Sequence, residues 1–570
     1  MSDAARSGRT YYLGLSTSGH DPALALVDDQ GQVLFAEATE RFLQDKRAWG
    51  AAPDHPGHLA GVLAAHCEAD ARFVVATSWT RLKAELPTEA MDTLLPAAEG
   101  AWLRAQQKRA HADAGDSLAR WLGLSAPPLR LDFDHHLCHA AYACHGAPFD
   151  DATCLVLDGE GEVGAVSLYR YRGGRLERRW RAWGPGSLGS YYGWLTGACG
   201  FDWKAGEEWK VMGLAAYGTP RPELVETLSG MLRIENGRPR LPEPETLRAL
   251  LARLGPARRA PSTPLMQAAD LAASGQAAYA GFADAVLAAC AEDGQDNLVL
   301  TGGCALNSSY NGTLGMRQGF RAVHVPSAPG DDGNAVGAAL LAWMRDHPEA
   351  PLPKARPGAA ASAYLGSKPE PRVLEAVVRH AGGYRVRDLG TGSADYLAER
   401  LAAGRIVGVM RGAAEFGPRA LGHRSILADP RPADMKDRIN RQVKGREPYR
   451  PFAPMLPVER VGEWFQRDRP SPYMSFTLPW REAGRERVPA VVHADGTGRL
   501  QTVAAHEEPW LRALLNAFEA RAGVPILLNT SFNVMGKPIV HSVQDALAVL
   551  ATTGLDAVLL DDLLVEKDAP

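Results

Sequence analysis

Apolar positions recur along the chain in two rhythms that define most of its elements. Residues 11–16 form a short apolar run, and 23–27 and 33–37 repeat it on either side of a Gln30-Gly31 turn. Runs of this length predict strands, so the chain opens with a strand and a returning hairpin. Helical spacing covers 57–67 and 89–122, with a strand-like stretch at 72–78 between them. At 134–141 the sequence reads Asp-His-His-Leu-Cys-His-Ala-Ala. As a helix, this places His135 and His139 one turn apart on one face. The apolar run 152–157 predicts a buried strand that delivers Asp158 into the turn Asp158-Gly159-Glu160-Gly161. Outward strands are expected at 164–171 and 178–183, followed by glycine-punctuated segments over 184–193 and 206–218.

Farther along, an alanine-rich helix at about 267–291 leads to a strand at 297–301 that ends in Gly302-Gly303. The loop 326–335 carries Asp331-Asp332-Gly333-Asn334 and opens a small-residue helix at 336–344. Residues 394–403 read as a helix and 406–410 as a strand, and Leu527-Leu528-Asn529-Thr530-Ser531 ends another. Two stretches break the rhythm. Residues 219–265 are rich in Pro, Arg and Leu without periodicity and suggest an insertion, while the proline- and alanine-rich 346–363 reads as a linker. A chain of 570 residues is too long for a single core. The expected division is a first domain of α/β type at 1–345, the linker, and a second domain of α+β type at 364–570.

Composition narrows the function classes. The chain is 46% hydrophobic and 22% charged, an ordinary globular balance. A formal charge of -4 argues against nucleic acid as the main partner, because binding its backbone needs a basic footprint. The seven cysteines, at 67, 138, 144, 154, 199, 290 and 304, are odd in number and form no Cys-x-x-Cys pair, which argues against a disulfide framework or structural zinc. Residues 1–10 are polar, and no stretch approaches 18 consecutive apolar residues. A cytoplasmic protein without a membrane partner is expected.

The candidate chemistry falls in two groups. In the first half, His135 and His139 at helical spacing suit a divalent metal, with a carboxylate at Asp158 to complete the shell; helix packing is the alternative role. Asp331 and Asp332 either reach such a metal or cap the helix that follows. His20-Asp21 sits at a strand end, where loop chemistry and catalysis are both open. Lys210 lies among glycines and either meets an anion or is a solvated surface residue. The Gly302-Gly303 turn lets backbone amides approach a phosphate closely. In the second half, Arg419 and Arg424 lie in a glycine-bearing segment, Lys444 and Arg450 in the cationic stretch 436–450, and Arg499 in His493-Ala494-Asp495-Gly496-Thr497-Gly498-Arg499. Arginines in such settings suit bidentate recognition of phosphate or carboxylate.

Taken together and in order, these motifs resemble the NodU/CmcH-type O-carbamoyltransferases over essentially the whole chain. DHHLCHAA, LVLDGEGE, VMGLAAYG, LTGGCALN and PGDDGNAVGAAL are the landmarks of a TsaD-like domain of the actin, sugar-kinase and Hsp70 superfamily. EFGPRALGHRSILADPR, PYRPFAPM, HADGTGRLQTV and LLNTSFNVMGKPIVHS are those of a YrdC-like domain. The resemblance implies that carbamoyl phosphate and ATP give carbamoyl adenylate and pyrophosphate in the YrdC-like domain. The TsaD-like domain then passes the carbamoyl group to an acceptor hydroxyl and releases AMP. It implies iron, as Fe(2+), held by His135, His139 and Asp332 with Asp158 as a fourth ligand; Mg(2+) could accompany ATP. Lys210, Gly302, Gly303 and Asn307 would line the nucleotide and acceptor side, and His20 or Asp21 would serve as base. Arg419, Arg424, Lys444, Arg450 and Arg499 would bind carbamoyl phosphate and the adenylate, with hydrogen bonds from Asn529 and Ser531. Length and pattern point to the members that carbamoylate aminoglycosides such as tobramycin, whose cationic charge would be met by Asp21, Glu37, Glu40 and Asp202. Cephalosporins, ansamycins, aminocoumarins and nodulation factors are the other acceptors of relatives, and a tRNA threonylcarbamoyl-type enzyme is the rival activity.

Overall fold

A computed structural model describes residues 8–80, 94, 97–123, 128–162, 164–182, 186–260, 262–290, 294–315 and 319–567. The start of the helix expected at 89–122, the end of the strand expected at 178–183, Gly184-Pro185 and residue 291 lie outside the described residues. The chain forms two compact units. One comprises 1–307 and 313–362, the other 308–312 and 363–570.

The first unit is built twice over on one plan. Its first sheet contains β1 (Thr10–Leu15), β2 (Ala23–Val27), β3 (Val33–Ala38), β4 (Arg72–Thr77) and β5 (Arg130–Asp132), in the order β3-β2-β1-β4-β5. β1, β2 and β3 pair antiparallel, whereas β4 and β5 continue parallel to β1. Its second sheet contains β6 (Asp151–Leu157), β7 (Val166–Arg172), β8 (Arg175–Arg181), β9 (Asn297–Thr301) and β10 (Ala322–His324), in the order β10-β9-β6-β7-β8. Read from the hairpin end, that is the same sequence of neighbours with the same directions. This duplicated α/β sheet is the actin and sugar-kinase arrangement. The loops after β1 and β6, the leading strand of each half, therefore occupy equivalent positions, and they carry His20-Asp21 and Asp158.

The first unit also contains the helices α1 (His135–Gly146), α2 (Ala269–Cys290) and α3 (Asn334–Asp346). α1 and α3 pack together and against the sheets. Gly337 makes this possible, since a Cβ there would stand 2.0 Å from the Cys138 carbonyl oxygen. The amino end of α1 is capped by Asp134, whose Oδ1 accepts from the Leu137 amide at 2.9 Å and whose two oxygens each accept from Arg181 Nη2 at 2.6 Å. Its carboxyl end is covered by Lys354, whose ammonium donates to the carbonyls of Cys144 (3.0 Å), Ala147 (2.9 Å) and Phe149. The proline-rich stretch expected as a free linker is thus tied back onto the first unit. The expected insertion is ordered as well. It folds as a helix (Pro222–Ser229), a small hairpin and a second helix (Pro244–Leu254), with the first helix packed on α2.

Burial pushes the Asp134 carboxyl up, but the hydrogen bonds and charge of Arg181 outweigh it and hold it below the ordinary carboxylate value. A depressed folded-state pKa contributes stability that is complete above the unfolded value of about 3.9 and is lost as pH falls through the folded value. Asp134→Asn keeps the cap and removes the charge, so it is expected to cost about 1–2 kcal/mol at pH 7. The difference should close as the medium is acidified below pH of about 4. Thermal unfolding of both proteins across pH checks this; a gap that stays constant into acid would refute the assignment.

The second unit is organised on an eight-stranded sheet of β11 (Tyr384–Asp388), β12 (Val407–Met410), β13 (Arg424–Ala428), β14 (Ala453–Pro457), β15 (Gln501–Val503), β16 (Leu527–Ser531), β17 (Ala557–Leu560) and β18 (Leu563–Lys567). The order is β11-β18-β17-β12-β13-β16-β14-β15, mostly antiparallel. A helix at Ser393–Ala402 packs on another at Pro509–Ala522. No helix among the described residues is long and apolar enough to cross a membrane. The seven cysteines are all free thiols.

Candidate functional site

In the first unit, α1 presents His135 and His139 inward, both wholly buried. The loop after β6 brings Asp158 to them, and the turn before α3 brings Asp331. His135 Nε2 lies 3.0 Å from Asp158 Oδ2 and 3.2 Å from His139 Nε2; Asp331 Oδ1 is 3.5 Å from each imidazole Nε2, and His139 Nε2 is 3.5 Å from Asp158 Oδ2. A tetrahedral centre with bonds of 2.0–2.1 Å would set its ligand atoms roughly 3.4 Å apart. Two imidazole nitrogens and two carboxylates converging at these separations in a buried place fit a divalent cation, and the four donor atoms lie within 4.8 Å of one another. Burial opposes charge on both imidazoles, but the two carboxylates outweigh it and raise them above the ordinary histidine value. Protons therefore compete with a metal here, and occupancy is expected to fall on acidification.

The resemblance put Asp332 among the ligands; the structure brings Asp331, not Asp332, to the two histidines. The two fall on successive positions of a 3-10 turn, Asp331–Gly333, which points their side chains in different directions. Asp332 accepts from the Gly333 amide at 3.1 Å, and burial, then the charges of Asp21 and Glu40, push its carboxyl up to about 7. Asn334, which pattern did not single out, stands 3.2 Å from His135 Nδ1, and its Oδ1 is buried without a partner. With the amide turned so that Oδ1 faces the ring, Nδ1–H donates to it and the Nε2 lone pair faces the cluster.

The Gly302-Gly303 turn reaches this centre. The Gly303 amide donates to Asp158 Oδ1 at 3.0 Å. Gly302, at φ +89°, lets the chain pass where a Cβ would stand 2.2 Å from the Leu157 carbonyl oxygen. Two other residues expected on the nucleotide side have protein partners in this structure. Lys210 Nζ donates to Glu207 at 2.5 Å within the same helical turn. Asn307 forms a reciprocal amide pair with Gln276, at 3.1 Å both ways.

His20 and Asp21 lie beside the cluster. His20 Nδ1 is 3.0 Å from Asp21 Oδ2 and 3.6 Å from Asp331 Oδ2. A residue that sequence reasoning missed joins them: Arg47 Nη2 is 2.9 Å from His20 Nδ1 and 3.1 Å from Asp21 Oδ2. Arg47 and Ala48 both have positive φ, 59° and 38°, as does Asp21 at 48°. Strain of this kind in non-glycine residues gathers at functional sites. Burial pushes Asp21 up, and Arg47 followed by His20 outweighs it and holds the carboxyl below its ordinary value. Of the acidic residues expected to meet a cationic acceptor, Asp21 and Glu40 border this loop, the latter accepting from the Arg47 amide at 2.9 Å. Glu37 is buried against His58 at 3.0 Å, and Asp202 caps a short helix by accepting from the Lys204 amide at 2.9 Å.

The second unit holds a different constellation. Arg419, Arg446, Arg450 and Arg499 are half-buried. Burial and the charge of Arg499 hold Arg419 well below the ordinary arginine value. Arg446 is held down by burial and then by Arg450, and burial lowers Arg499 to about 10. Arg450 pairs with Glu447 at 3.3 Å, while Arg419 and Arg499 have neither an acidic nor a hydrogen-bonding partner among the described residues. Four guanidinium groups crowded together with a single acidic neighbour, Glu447, make a site for a multiply charged anion.

Other basic residues expected in that role are occupied by protein partners. Arg424 is wholly buried, and its guanidinium donates to the carbonyls of Arg411 (3.1 Å), Gly412 (3.2 Å), His423 (2.9 Å) and Ser367 (2.7 Å). Lys444 Nζ is bound to the Ser531–Asn533 turn, donating to Asn533 Oδ1 at 2.6 Å and to Ser531 Oγ at 3.2 Å. That contact also accounts for Ser531. Asn529 donates to Gln501 Oε1 at 2.6 Å and to the Ala420 carbonyl at 3.1 Å, leaving its buried Oδ1 as an unpartnered acceptor. Arg424→Ala is therefore expected to act on stability, costing at least about 3 kcal/mol because four carbonyls lose a buried donor. Calorimetric unfolding checks it; an unchanged melting temperature with a raised KM would restore Arg424 to the anion site.

The comparisons with known proteins agree with this division. Residues 118–340 match the family described as Carbamoyltransferase N-terminus, and 398–567 match Carbamoyltransferase C-terminus. The uncharacterized protein sll1178 of Synechocystis sp. is 34% identical, over 98% of this chain and 97% of its own. Nodulation protein NolO of Bradyrhizobium diazoefficiens is 37% identical over 76% of this chain and 79% of its own. The 3'-hydroxymethylcephem-O-carbamoyltransferase of Amycolatopsis lactamdurans is 33% identical over 47% and 49%. The chain belongs to the carbamoyltransferase family, and its activity is carbamoyl transfer. Within that family it is of the NodU/CmcH type.

Proposed function

We propose that the protein is an ATP-dependent O-carbamoyltransferase that works through carbamoyl adenylate. The arginine cluster of the second unit carries this reading. Carbamoyl phosphate and ATP repel each other, and a cluster in which the guanidinium groups outnumber their one acidic neighbour offsets that repulsion and the charge that develops as the α-phosphorus is attacked. Water cleaves carbamoyl phosphate to carbamate and phosphate; a carbamate oxygen then attacks the α-phosphorus of ATP, and pyrophosphate leaves as carbamoyl adenylate forms. This unit corresponds to the YrdC-like domain implied by the resemblance.

In the first unit the acceptor hydroxyl attacks the carbamoyl carbon, AMP departs, and the hydroxyl proton passes to a base. His20 serves as that base, oriented by Asp21. A divalent ion, Fe(2+) by the family resemblance, would be held by His135, His139, Asp158 and Asp331 and would supply positive charge beside the transferring group. Asp21 and Glu40 beside His20 support a cationic acceptor of the aminoglycoside class. The test is pyrophosphate release from ATP and carbamoyl phosphate, followed by mass spectrometry of tobramycin. Release with a carbamoyl mass gain supports both steps. Release with unmodified tobramycin discards the aminoglycoside, and no release from metal-loaded protein discards the adenylate.

A further inference from the structure

Arg419 is two residues from a stretch of backbone folded around a single carboxylate. Glu415 is wholly buried, and its Oε1 accepts from the amides of Leu421 (2.6 Å), His423 (2.8 Å) and Arg424 (3.1 Å). The amide between them, Gly422, donates to Ser425 Oγ at 2.8 Å. Three amides within four successive residues thus converge on one oxygen, a concave backbone form of the kind that binds anions, here filled by the protein's own side chain. The carbonyls of the same stretch are held from outside. Gln501 Nε2 donates to Leu421 at 2.7 Å, the Tyr364 hydroxyl donates to Leu421 at 3.0 Å, and Asn529 donates to Ala420 at 3.1 Å. Residues 420–424 are therefore fixed on both edges. Arg419, which enters this stretch, has no partner of its own among the described residues to fix its direction. Its placement is inherited from the backbone.

We infer that Glu415 is a positioning residue of the anion site, setting the direction of Arg419 through the 421–424 amides, with Gln501 as brace. This rests on the proposed function of the arginine cluster. Glu415 itself does not touch the anion, and a carboxylate at the anion's position would repel it. Its negative charge is instead neutralised locally by three amide donors, which keeps it compatible with a phosphate site nearby.

The test is a double-mutant cycle on the full chain, read as the dissociation constant for inorganic pyrophosphate, which needs no turnover, and as KM for carbamoyl phosphate. Glu415→Ala should weaken pyrophosphate binding about tenfold or more. Glu415→Gln, which retains an oxygen acceptor for the amides, should recover most of that loss. In an Arg419→Ala background, Glu415→Ala should change binding by less than about twofold, because the group it acts through is gone. A structural role alone would give effects that multiply, and that result overturns the inference, as does wild-type affinity in Glu415→Ala. If Glu415→Ala does not fold, Glu415→Asp, which draws the acceptor back by one methylene, replaces it in the same cycle with the same criteria. Wild-type protein that binds pyrophosphate but releases none from ATP and carbamoyl phosphate would refute the proposed function while the binding cycle still decides the inference. Wild-type protein that binds no pyrophosphate overturns the inference outright.

Discussion

His139→Ala is expected to leave less than about one tenth of an equivalent of bound metal per chain and to lower carbamoyl transfer about a thousandfold or more. His139 Nε2 lies within 3.5 Å of the other three donors, so its removal opens one side of a four-donor set. The remaining two carboxylates and one imidazole face a cavity where the ring stood, without the geometry that held them. Pyrophosphate release should stay within about threefold of wild type, because the proposed carbamoyl phosphate site belongs to the second unit. Elemental analysis and the two half-assays separate these outcomes. Full metal content in the variant would remove His139 from the ligand set, and loss of both half-reactions would show that the variant is misfolded rather than demetallated.

The second large effect runs in opposite directions for activity and stability. Arg499→Met should raise KM for carbamoyl phosphate about a hundredfold or more, as expected when a charge-assisted contact to a buried phosphate is removed. The same change should stabilise the free protein by about 1 kcal/mol, or roughly 2–4 °C in melting temperature. The reason is that Arg499 is lowered to about 10 by burial, has no acidic partner among the described residues, and presses its charge on Arg419 and Arg446. Replacing it with an apolar side chain of similar length relieves that burden. Calorimetry with and without ligand reads both quantities. A variant that is destabilised in the ligand-free state would mean that Arg499 is compensated, and the anion-site reading would lose its main support.

Much of the first centre was legible because helices and strands have fixed periods. A four-residue spacing on a helix put His135 and His139 on one face, and a buried strand ending in a glycine turn put Asp158 at its tip. Asp331 against Asp332 was not legible, because a 3-10 turn sends adjacent side chains in different directions and neither residue type nor spacing reveals which one faces inward. Arg47 was invisible for a related reason. It reaches His20 through a left-handed backbone turn, and no local pattern announces such a conformation in an arginine. In the second unit the arginines were readable as a group but not individually. Arg419 and Arg424 are five positions apart in one segment, yet one has no partner among the described residues and the other ties four carbonyls together. That distinction depends on which backbone oxygens the sheet leaves unpaired, a property of the fold rather than of the segment. Glu415 was passed over because a lone acid in a basic stretch resembles a surface ion pair.

The helix that carries the two histidines is held at one end by an aspartate and at the other by a lysine drawn from the chain far downstream. Opposite charges at the two poles complement its dipole and suppress fraying from either side. Residence time is where this matters. A ligand helix that cannot unwind from its ends offers a bound ion no gradual exit, so the ion leaves only when the whole helix lifts from its neighbours. Chelators should then strip the metal at a rate set by that opening and independent of their own concentration, and cutting the chain near Lys354 should shorten the ion's lifetime without touching one of its ligands.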